Sequence, residues 1–380
     1  MVWIYVDGFT FTDRNYNPAG LIARSKENSD GVIYVSINYR GGPFGFLSGP
    51  ELRANGTANA GLLDQRFALE WVQKHIPKFG GDPNRVTVFG QSAGAASIMH
   101  QITAYGGRAG PAPFSQAIMA SPAFQPINSN FQQSQVCTNF LTALNVTSIQ
   151  EAHQLPYDKL VAANTKLVTP ADYGQFTFSA TVDGSFVPGL PGQLLHQGEF
   201  DYHVKILIGH NSNEASYWIN PNATSEADFT ANLQSAFLTI PSSITNYISG
   251  VLYPYPNYSN INQTAAIGYT TPSDSAFSAI QPEKYAYEFS VPPRYHGEDV
   301  PYFYYNGPSP LVKNETIALA MQTYYTHFAI TGLPNNGQYP DFQQYGTGSN
   351  VLGLNVTGIA VKKDPADNSR CRWWQQALYF

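Results

Sequence analysis

The stretch Val86-Thr87-Val88-Phe89-Gly90-Gln91-Ser92-Ala93-Gly94-Ala95-Ala96-Ser97 decides the fold. Its first residues are apolar β-formers and its last ones are small, so it predicts a buried strand, a sharp turn and a helix. Gly90 and Gly94 flank Ser92 in a Gly-x-Ser-x-Gly pattern, which is typical of a nucleophile elbow that presents a serine hydroxyl on a strained turn. We expect both glycines to be required, because a Cβ at either position would strike the neighbouring strand or helix.

Composition restricts the class of protein. The 380 residues suffice for one large α/β domain or two smaller ones, and 43% hydrophobic with 14% aromatic residues indicates a globular chain. Charged residues make up only 12%, about half the usual share for soluble domains. The net charge of -6, without any run of Lys or Arg, argues against nucleic-acid binding.

The sequence also bears on the compartment. No apolar run reaches the ~18 residues of a membrane span. No secretory signal is visible either, because an apolar strand-like run follows Met1 directly. Low charge and several glycosylation sequons nevertheless favour a secreted glycoprotein, although an Asn- and Thr-rich chain also produces sequons by chance. The sequons begin at Asn55, Asn145, Asn222, Asn257, Asn262, Asn314 and Asn355.

Cysteine and histidine usage predicts neither a metal nor a cofactor. Cys137 and Cys371 could form one bridge or stay as thiols, and their spacing does not decide between these. No Cys/His cluster has the spacing of metal ligands.

Strand-like and helical segments alternate along the chain, which predicts an α/β fold with a largely parallel sheet. Residues 222–282, rich in Tyr, Pro and sequons, are expected to form an inserted helical cap. The predicted strands cover residues 1–9, 31–39, 86–91, 116–120, 204–209 and 285–291. The predicted helices cover residues 59–75, 93–102, 131–165, 314–331 and 369–380.

The helix predicted over 59–75 has the clearest pattern. Asn59 is placed to cap it. Its buried face is expected to consist of Leu62, Leu63, Phe67, Leu69 and Trp71.

A serine hydroxyl needs a base to take its proton, and the base needs an acid to fix its tautomer. His296 lies in a loop after a predicted strand, at the carboxyl end of the sheet, whereas His327 lies inside a predicted helix at a spacing that suggests packing. Glu214 follows the strand 204–209, where ligand-facing groups belong in parallel sheets. Asp183 is the alternative acid, but Val-Asp-Gly is more simply a turn.

The chain resembles the type-B carboxylesterase/lipase family, whose members include carboxylesterases, cholinesterases, fungal lipases and non-catalytic adhesion relatives. The resemblance implies a single α/β-hydrolase domain over 1–380, with a mostly parallel central sheet and flanking helices. It also implies hydrolysis of small-molecule or lipid esters by Ser92, His296 and Glu214, without a cofactor. It rests on the elbow and on Asn38–Arg40, Gly42–Leu47, Asn59–Gln65, Ala68–Val72, Phe79–Pro83, Val182–Gly184, Gly209–Glu214, Tyr295–Gly297 and Phe328–Asn335.

The chain departs from that family in its first residues. A long N-terminal part of the family has no counterpart, and the glycine run of the family's oxyanion loop is reduced to Gly8 in Val6-Asp7-Gly8-Phe9. The oxyanion hole is expected to use the backbone N–H groups of Gly8, Ala93 and Asp7, with the start of the elbow helix favouring negative charge. Asp7 threatens it, because a non-glycine residue resists the required backbone angles and a carboxylate repels an oxyanion.

The family's cysteine pairs are not reproduced. Its late cysteine corresponds to Cys371, but the partner region near Ala279 has no cysteine, which favours two thiols. The leading hypothesis is thus a serine esterase or lipase. The competing ones are a catalytically weak, esterase-shaped binding or adhesion protein, and a partial gene product.

Overall fold

The computed structural model describes residues 1–5, 8–10, 16–27, 29–127, 129–169, 175–214, 220, 222–223, 225–254 and 284–376. Within them, one sheet has the strand order β2-β1-β3-β4-β5-β6-β7-β8. Neighbours from β2 to β7 pair in parallel, and β7 pairs with β8 antiparallel. The strands are β1 (Val2–Ile4), β2 (Val35–Ser36), β3 (Thr87–Gln91), β4 (Gln116–Ala120), β5 (Lys205–Asn211), β6 (Lys284–Phe289), β7 (Asn350–Asn355) and β8 (Gly358–Lys363).

Helices fill the connections between the strands, so the predicted α/β fold with a mostly parallel sheet is confirmed. None of the helices in the described residues is both long and apolar enough to cross a membrane. The helices are α1 (Ala19–Glu27), α2 (Pro43–Phe46), α3 (Pro50–Asn55), α4 (Ala60–His75), α5 (Ala93–Ile102), α6 (Asn130–Leu144), α7 (Ile149–His153), α8 (Tyr157–Val168), α9 (Pro191–Gln197), α10 (Glu226–Ala236), α11 (Ser242–Tyr247), α12 (Val300–Phe303), α13 (Glu315–Thr331) and α14 (Ser369–Gln375).

The core lies where the central strands meet α5. Every residue of β3, β4 and β6 is buried, as expected for parallel strands covered on both faces. All residues of α5 are buried too, because its small Ala, Gly and Ser side chains let it pack closely against the sheet. The elbow between β3 and α5 is therefore flanked by fully buried elements.

The first two predicted strands are shorter than expected. β2 covers only Val35–Ser36 of the predicted 31–39, and β1 ends at Ile4. β2 is the edge strand, and it pairs only with β1, through Val2 with Val35 and Trp3 with Ser36. A partner of three residues cannot sustain a longer ladder. Val6 and Asp7 lie outside the described residues.

The expectations for α4 are partly wrong. Its buried residues are Gly61, Leu62, Gln65, Leu69 and Val72, which lie along one helical stripe. Phe67 is 72% exposed and Trp71 46% exposed, because both fall on the opposite face.

Asn59 does not cap α4 with its side chain, although it precedes the helix. Its backbone is left-handed, and its amide instead donates to Thr181 O at 2.8 Å and to Asp183 Oδ2 at 2.7 Å. Hydrogen bonds to residues 181 and 183, distant in the chain, thus replace the expected helix cap.

The cap expected over 222–282 is described only in part. Its described half is helical, with α10, α11 and a π-helical turn at Ile248–Leu252, and residues 255–283 lie outside the described residues. The cap as a unit stays a prediction. The predicted helix 369–380 corresponds to α14, and residues 377–380 are likewise outside.

The two cysteines lie apart in the fold, on α6 and α14. Both Cys137 and Cys371 are buried thiols, and no disulfide joins them. This agrees with the expectation drawn from the family's missing cysteine partner.

Candidate active site

Ser92 lies at the apex of the turn between β3 and α5. Its φ of 55° and ψ of -122° are strained for a residue with a side chain. Backbone bonds hold the turn: Ser92 N–H donates to Ala120 O at 3.0 Å, and Ser92 O accepts from Ala96 N–H at 2.8 Å. Ser92 is 8% exposed, so it is buried in this structure.

Both flanking glycines are required, as the sequence predicted. A Cβ on Gly90 would lie 2.7 Å from the carbonyl carbon of Gly94. A Cβ on Gly94 would lie 2.2 Å from Ile4 O, which is backbone that cannot yield. The elbow is therefore packed directly against the end of β1.

His296 and Glu214 meet at the carboxyl end of the sheet. Glu214 follows β5, His296 follows β6, and His296 Nδ1 lies 2.6 Å from Glu214 Oε2. The Glu214 side chain is buried and that of His296 is partly buried. Because two loops from neighbouring parallel strands end at one edge, residues 82 positions apart in the chain form one pair.

The second oxygen of Glu214 is also held. Oε1 accepts from Ser121 Oγ at 2.6 Å and from Asn211 N–H at 2.5 Å. Burial alone would raise the pKa of Glu214, but the charge and hydrogen bond of His296, with the Ser121 and Asn211 bonds, hold that pKa below its usual value. Glu214 is thus an ionised hydrogen-bond acceptor.

A second buried carboxylate lies behind this pair. Asn211 Nδ2 donates to Asp299 Oδ1 at 3.2 Å, and Tyr287 OH donates to Asp299 Oδ2 at 2.7 Å. Tyr287 OH also lies 2.9 Å from Tyr325 OH. Burial and the nearby charge of Glu214 raise the pKa of Asp299, and the Tyr287 and Asn211 bonds only partly oppose this.

The elbow itself reaches the histidine. Gln91, the residue before Ser92, places its Nε2 at 3.0 Å from His296 Nε2. The histidine therefore lies against the strand end that carries the serine, and its two ring nitrogens contact Glu214 on one side and Gln91 on the other.

Of the expected oxyanion residues, two are described. Ala93 is the first residue of α5, so its N–H has no partner within the helix. Gly8 lies in the turn after β1, which pairs with β3 beside the elbow, and its φ is +59°. A Cβ on Gly8 would lie 2.4 Å from Cε1 of Phe176, so this site requires glycine. Asp7 lies outside the described residues, and its contribution stays a prediction.

Asp183 and His327, the residues that were not favoured as acid and base, make other hydrogen bonds. Asp183 Oδ1 accepts from the N–H groups of Ser185 and Val187, as a turn-forming aspartate does. His327 Nδ1 lies 2.7 Å from Leu333 O on an exposed helix end. His100 on α5, which was not a candidate, is buried without a hydrogen-bond partner, and burial lowers its pKa to about 3.

Sequence reasoning did not find Ser121, Asn211, Asp299 or Gln91. A usable signal exists for two of them, since Ser121 follows β4 and Asn211 ends β5, and polar residues at the carboxyl ends of parallel strands tend to face the site. Among the described residues, no cluster of three or more His, Cys, Asp or Glu could hold a metal ion.

Comparison with known proteins places this geometry in a family. Residues 1–281 match the carboxylesterase family. Carboxylesterase patB of Aspergillus clavatus is 40% identical over 390 residues, which cover 99% of this chain and 69% of patB. Secreted lipase 1 of Botryotinia fuckeliana is 30% identical, over 93% of this chain and 69% of the lipase.

Comparison of the fold with solved structures also finds an esterase. The crystal structure of Aspergillus niger EstA matches with a TM-score of 0.83 and 26% identity, over 98% of this chain and 80% of EstA. The fold and family define a carboxylic-ester hydrolase of the α/β-hydrolase class. The chain belongs to the carboxylesterase family, whose substrates are small-molecule esters.

Proposed function

We propose that this chain cleaves carboxylic esters through an acyl-enzyme intermediate, with Ser92 as nucleophile, His296 as base and Glu214 as the acid that orients the base. The main support is the partly buried 2.6 Å contact between His296 Nδ1 and Glu214 Oε2, together with the strained turn at Ser92. A nucleophile, a base and an orienting carboxylate held in this order define acyl transfer in this fold.

The reaction follows in two halves. Ser92 Oγ attacks the ester carbonyl carbon while its proton passes to His296 Nε2, and the collapsing intermediate expels the alcohol, which takes that proton. Water then attacks the acyl-serine carbonyl, gives its proton to the same nitrogen, and Ser92 recovers it as the carboxylic acid leaves. Glu214 stays ionised throughout and stabilises the imidazolium.

The negative charge on the carbonyl oxygen needs donors. We assign the N–H of Ala93, at the start of α5, and that of Gly8, in the turn after β1. The helix N-terminus adds a favourable field for this oxyanion. One such donor contributes about 10²–10³ in rate.

A relative and the sequons bear on the compartment in which the protein acts. Secreted lipase 1 of Botryotinia fuckeliana is named as secreted. The sequon residues Asn145 and Asn222 are exposed, which suits a glycan. We propose a secreted, glycosylated esterase.

A weak or inactive binding protein is the second candidate. The protein named "Inactive carboxylesterase-like protein VdtD" from Byssochlamys spectabilis is 30% identical over 74% of this chain and 50% of VdtD. Asp7, where the related family has glycine, favours this candidate as well. Against it stands the fully hydrogen-bonded Glu214, whose arrangement a mere binding protein would not need.

A fluorophosphonate probe decides between the two. It should label folded protein at Ser92, because only an activated serine hydroxyl reacts. Ser92→Ala should abolish labelling, and Ser97→Ala, which changes a buried serine in the same helix, should retain it. Equal labelling of wild type and Ser92→Ala would refute the assignment, and no labelling of folded wild type would favour the binding protein.

A further inference from the structure

The two ring nitrogens of His296 have different electronic partners. Glu214 is ionised and can only accept, so Nδ1 of the neutral ring carries the proton and donates it across 2.6 Å. Nε2 is then an acceptor. The nitrogen of the Gln91 amide, 3.0 Å away, donates to it.

The Gln91 side chain is also enclosed by its other neighbours. Gln91 is the last residue of β3, it is 3% exposed, and its pairing with Ala120 fixes its backbone. Gly297 packs beside the amide, where an added Cβ would lie 3.6 Å from Gln91 Nε2. The amide thus lies between the elbow and the histidine loop.

We propose that Gln91 is a positioning residue for the base: its side-chain amide donates to Nε2 of neutral His296 in the resting site and yields this nitrogen to the Ser92 hydroxyl when substrate binds. The inference rests on the proposed function, because it concerns the nitrogen that takes the Ser92 proton. The amide nitrogen supplies this donor without carrying a charge.

The residue type then sets which protonation state is favoured. With Gln, the neutral ring keeps a hydrogen-bond donor at Nε2. With Glu, a carboxylate at the same place can only accept, so it stabilises the protonated ring and withdraws the base. With Met, the volume is kept and the hydrogen bond is lost.

Two carboxylates among the described residues act on His296. Glu214 contacts it directly from the loop after β5, and Asp299, at the start of α12, acts on it through space. Tyr287 on β6 and Tyr325 on α13 stand behind Asp299. All four are unchanged in the Gln91 variants, so a shift between variants reports residue 91.

The experiment is the pH dependence of kcat/KM for p-nitrophenyl acetate with wild type, Gln91→Met and Gln91→Glu. The acid limb should move to higher pH in that order, by about one pH unit or more for Gln91→Glu, which is the usual effect of an adjacent opposite charge. Activity of Gln91→Glu should recover above this limb. Circular dichroism and thermal unfolding establish that each variant is folded.

The proposal would be overturned if the acid limb of kcat/KM for folded Gln91→Glu stayed within about 0.2 pH units of wild type. It would also be overturned if Gln91→Met shifted this limb more than Gln91→Glu does. If Gln91→Glu does not fold, the Gln91→Met variant decides alone, because loss of the donor must still move its acid limb to higher pH. Fluorophosphonate labelling of Ser92 in each variant separates the two failures. Labelled variants with unshifted profiles refute only the role of Gln91, whereas label retained in Ser92→Ala refutes the proposed function itself.

Discussion

On one side of Ser92 the polar groups are held by side chains, and on the other side they are backbone. Glu214 and His296 are joined to each other and to Ser121, Asn211 and Gln91 by hydrogen bonds of 2.5 to 3.0 Å. The proposed oxyanion side consists of the N–H groups of Gly8 and Ala93, whose positions depend on a left-handed glycine and a helix start. The first side should therefore respond to changes of chemical group, and the second to changes of backbone conformation.

The largest effect should come from removing the base. His296→Ala should lower kcat by on the order of 10⁶, and Glu214→Gln by on the order of 10⁴, because the triad acts as a unit. His327→Ala and Asp183→Asn are matched controls that should leave kcat of folded protein within about twofold. Active-site titration with stopped-flow acylation measures this. An Asp183→Asn protein as impaired as Glu214→Gln would show that the acid is misassigned.

The proposed backbone donors are tested most directly by substitution of Gly8. Gly8→Ala should lower kcat about 10²–10³-fold with little change in KM, since its φ is +59° and the new Cβ would strike Phe176. Gly184→Ala is the matched control: its φ is +74°, but nothing lies within 4 Å of an added Cβ. It should cost only about 1 kcal/mol of stability. Equal kcat for the two folded variants would remove Gly8 from the oxyanion hole.

The smallest effect should come from the support of the acid. Ser121→Ala removes the 2.6 Å bond to Glu214 Oε1 but leaves that of Asn211 N–H, so kcat should fall about tenfold. Ser179→Ala also deletes a buried hydroxyl, yet Ser179 Oγ has no hydrogen-bond partner, so kcat should not change. A loss shared by both variants would indicate a general packing effect.

Much of this fold could be predicted from local pattern. The elbow, β4, α5 and α13 follow from continuous apolar or small-residue runs, which long buried elements require. The face of α4 was misjudged because Phe67 and Trp71 are hydrophobic, while the helical period places Gln65 inward and those two rings outward. Periodicity outweighs residue type there.

Elements that depend on distant partners were not predictable. The β7–β8 hairpin was not among the predicted strands, and its Lys362 reaches Glu288 of β6 by crossing Gly353 of β7. That lysine, with His210 and Ser290, lowers the pKa of Glu288 to about 2 despite its burial. In the same way, Ser121 and Asn211 meet Glu214 only because β4 and β5 are neighbours. No single-sequence pattern contains that information.

The strand order has a consequence for how the chain is made. After β2, each new strand is added to the same growing edge of the sheet, from β3 to β8. His296 is the 204th residue after Ser92 (296 minus 92), and synthesis of this stretch takes a ribosome roughly 10–40 s. During that interval the groups that hold the elbow, among them Gly90, Gly94 and the carbonyl of Ala120, are already synthesised. The nascent serine therefore lacks its proposed base until the ribosome has released β6 and the loop that follows it.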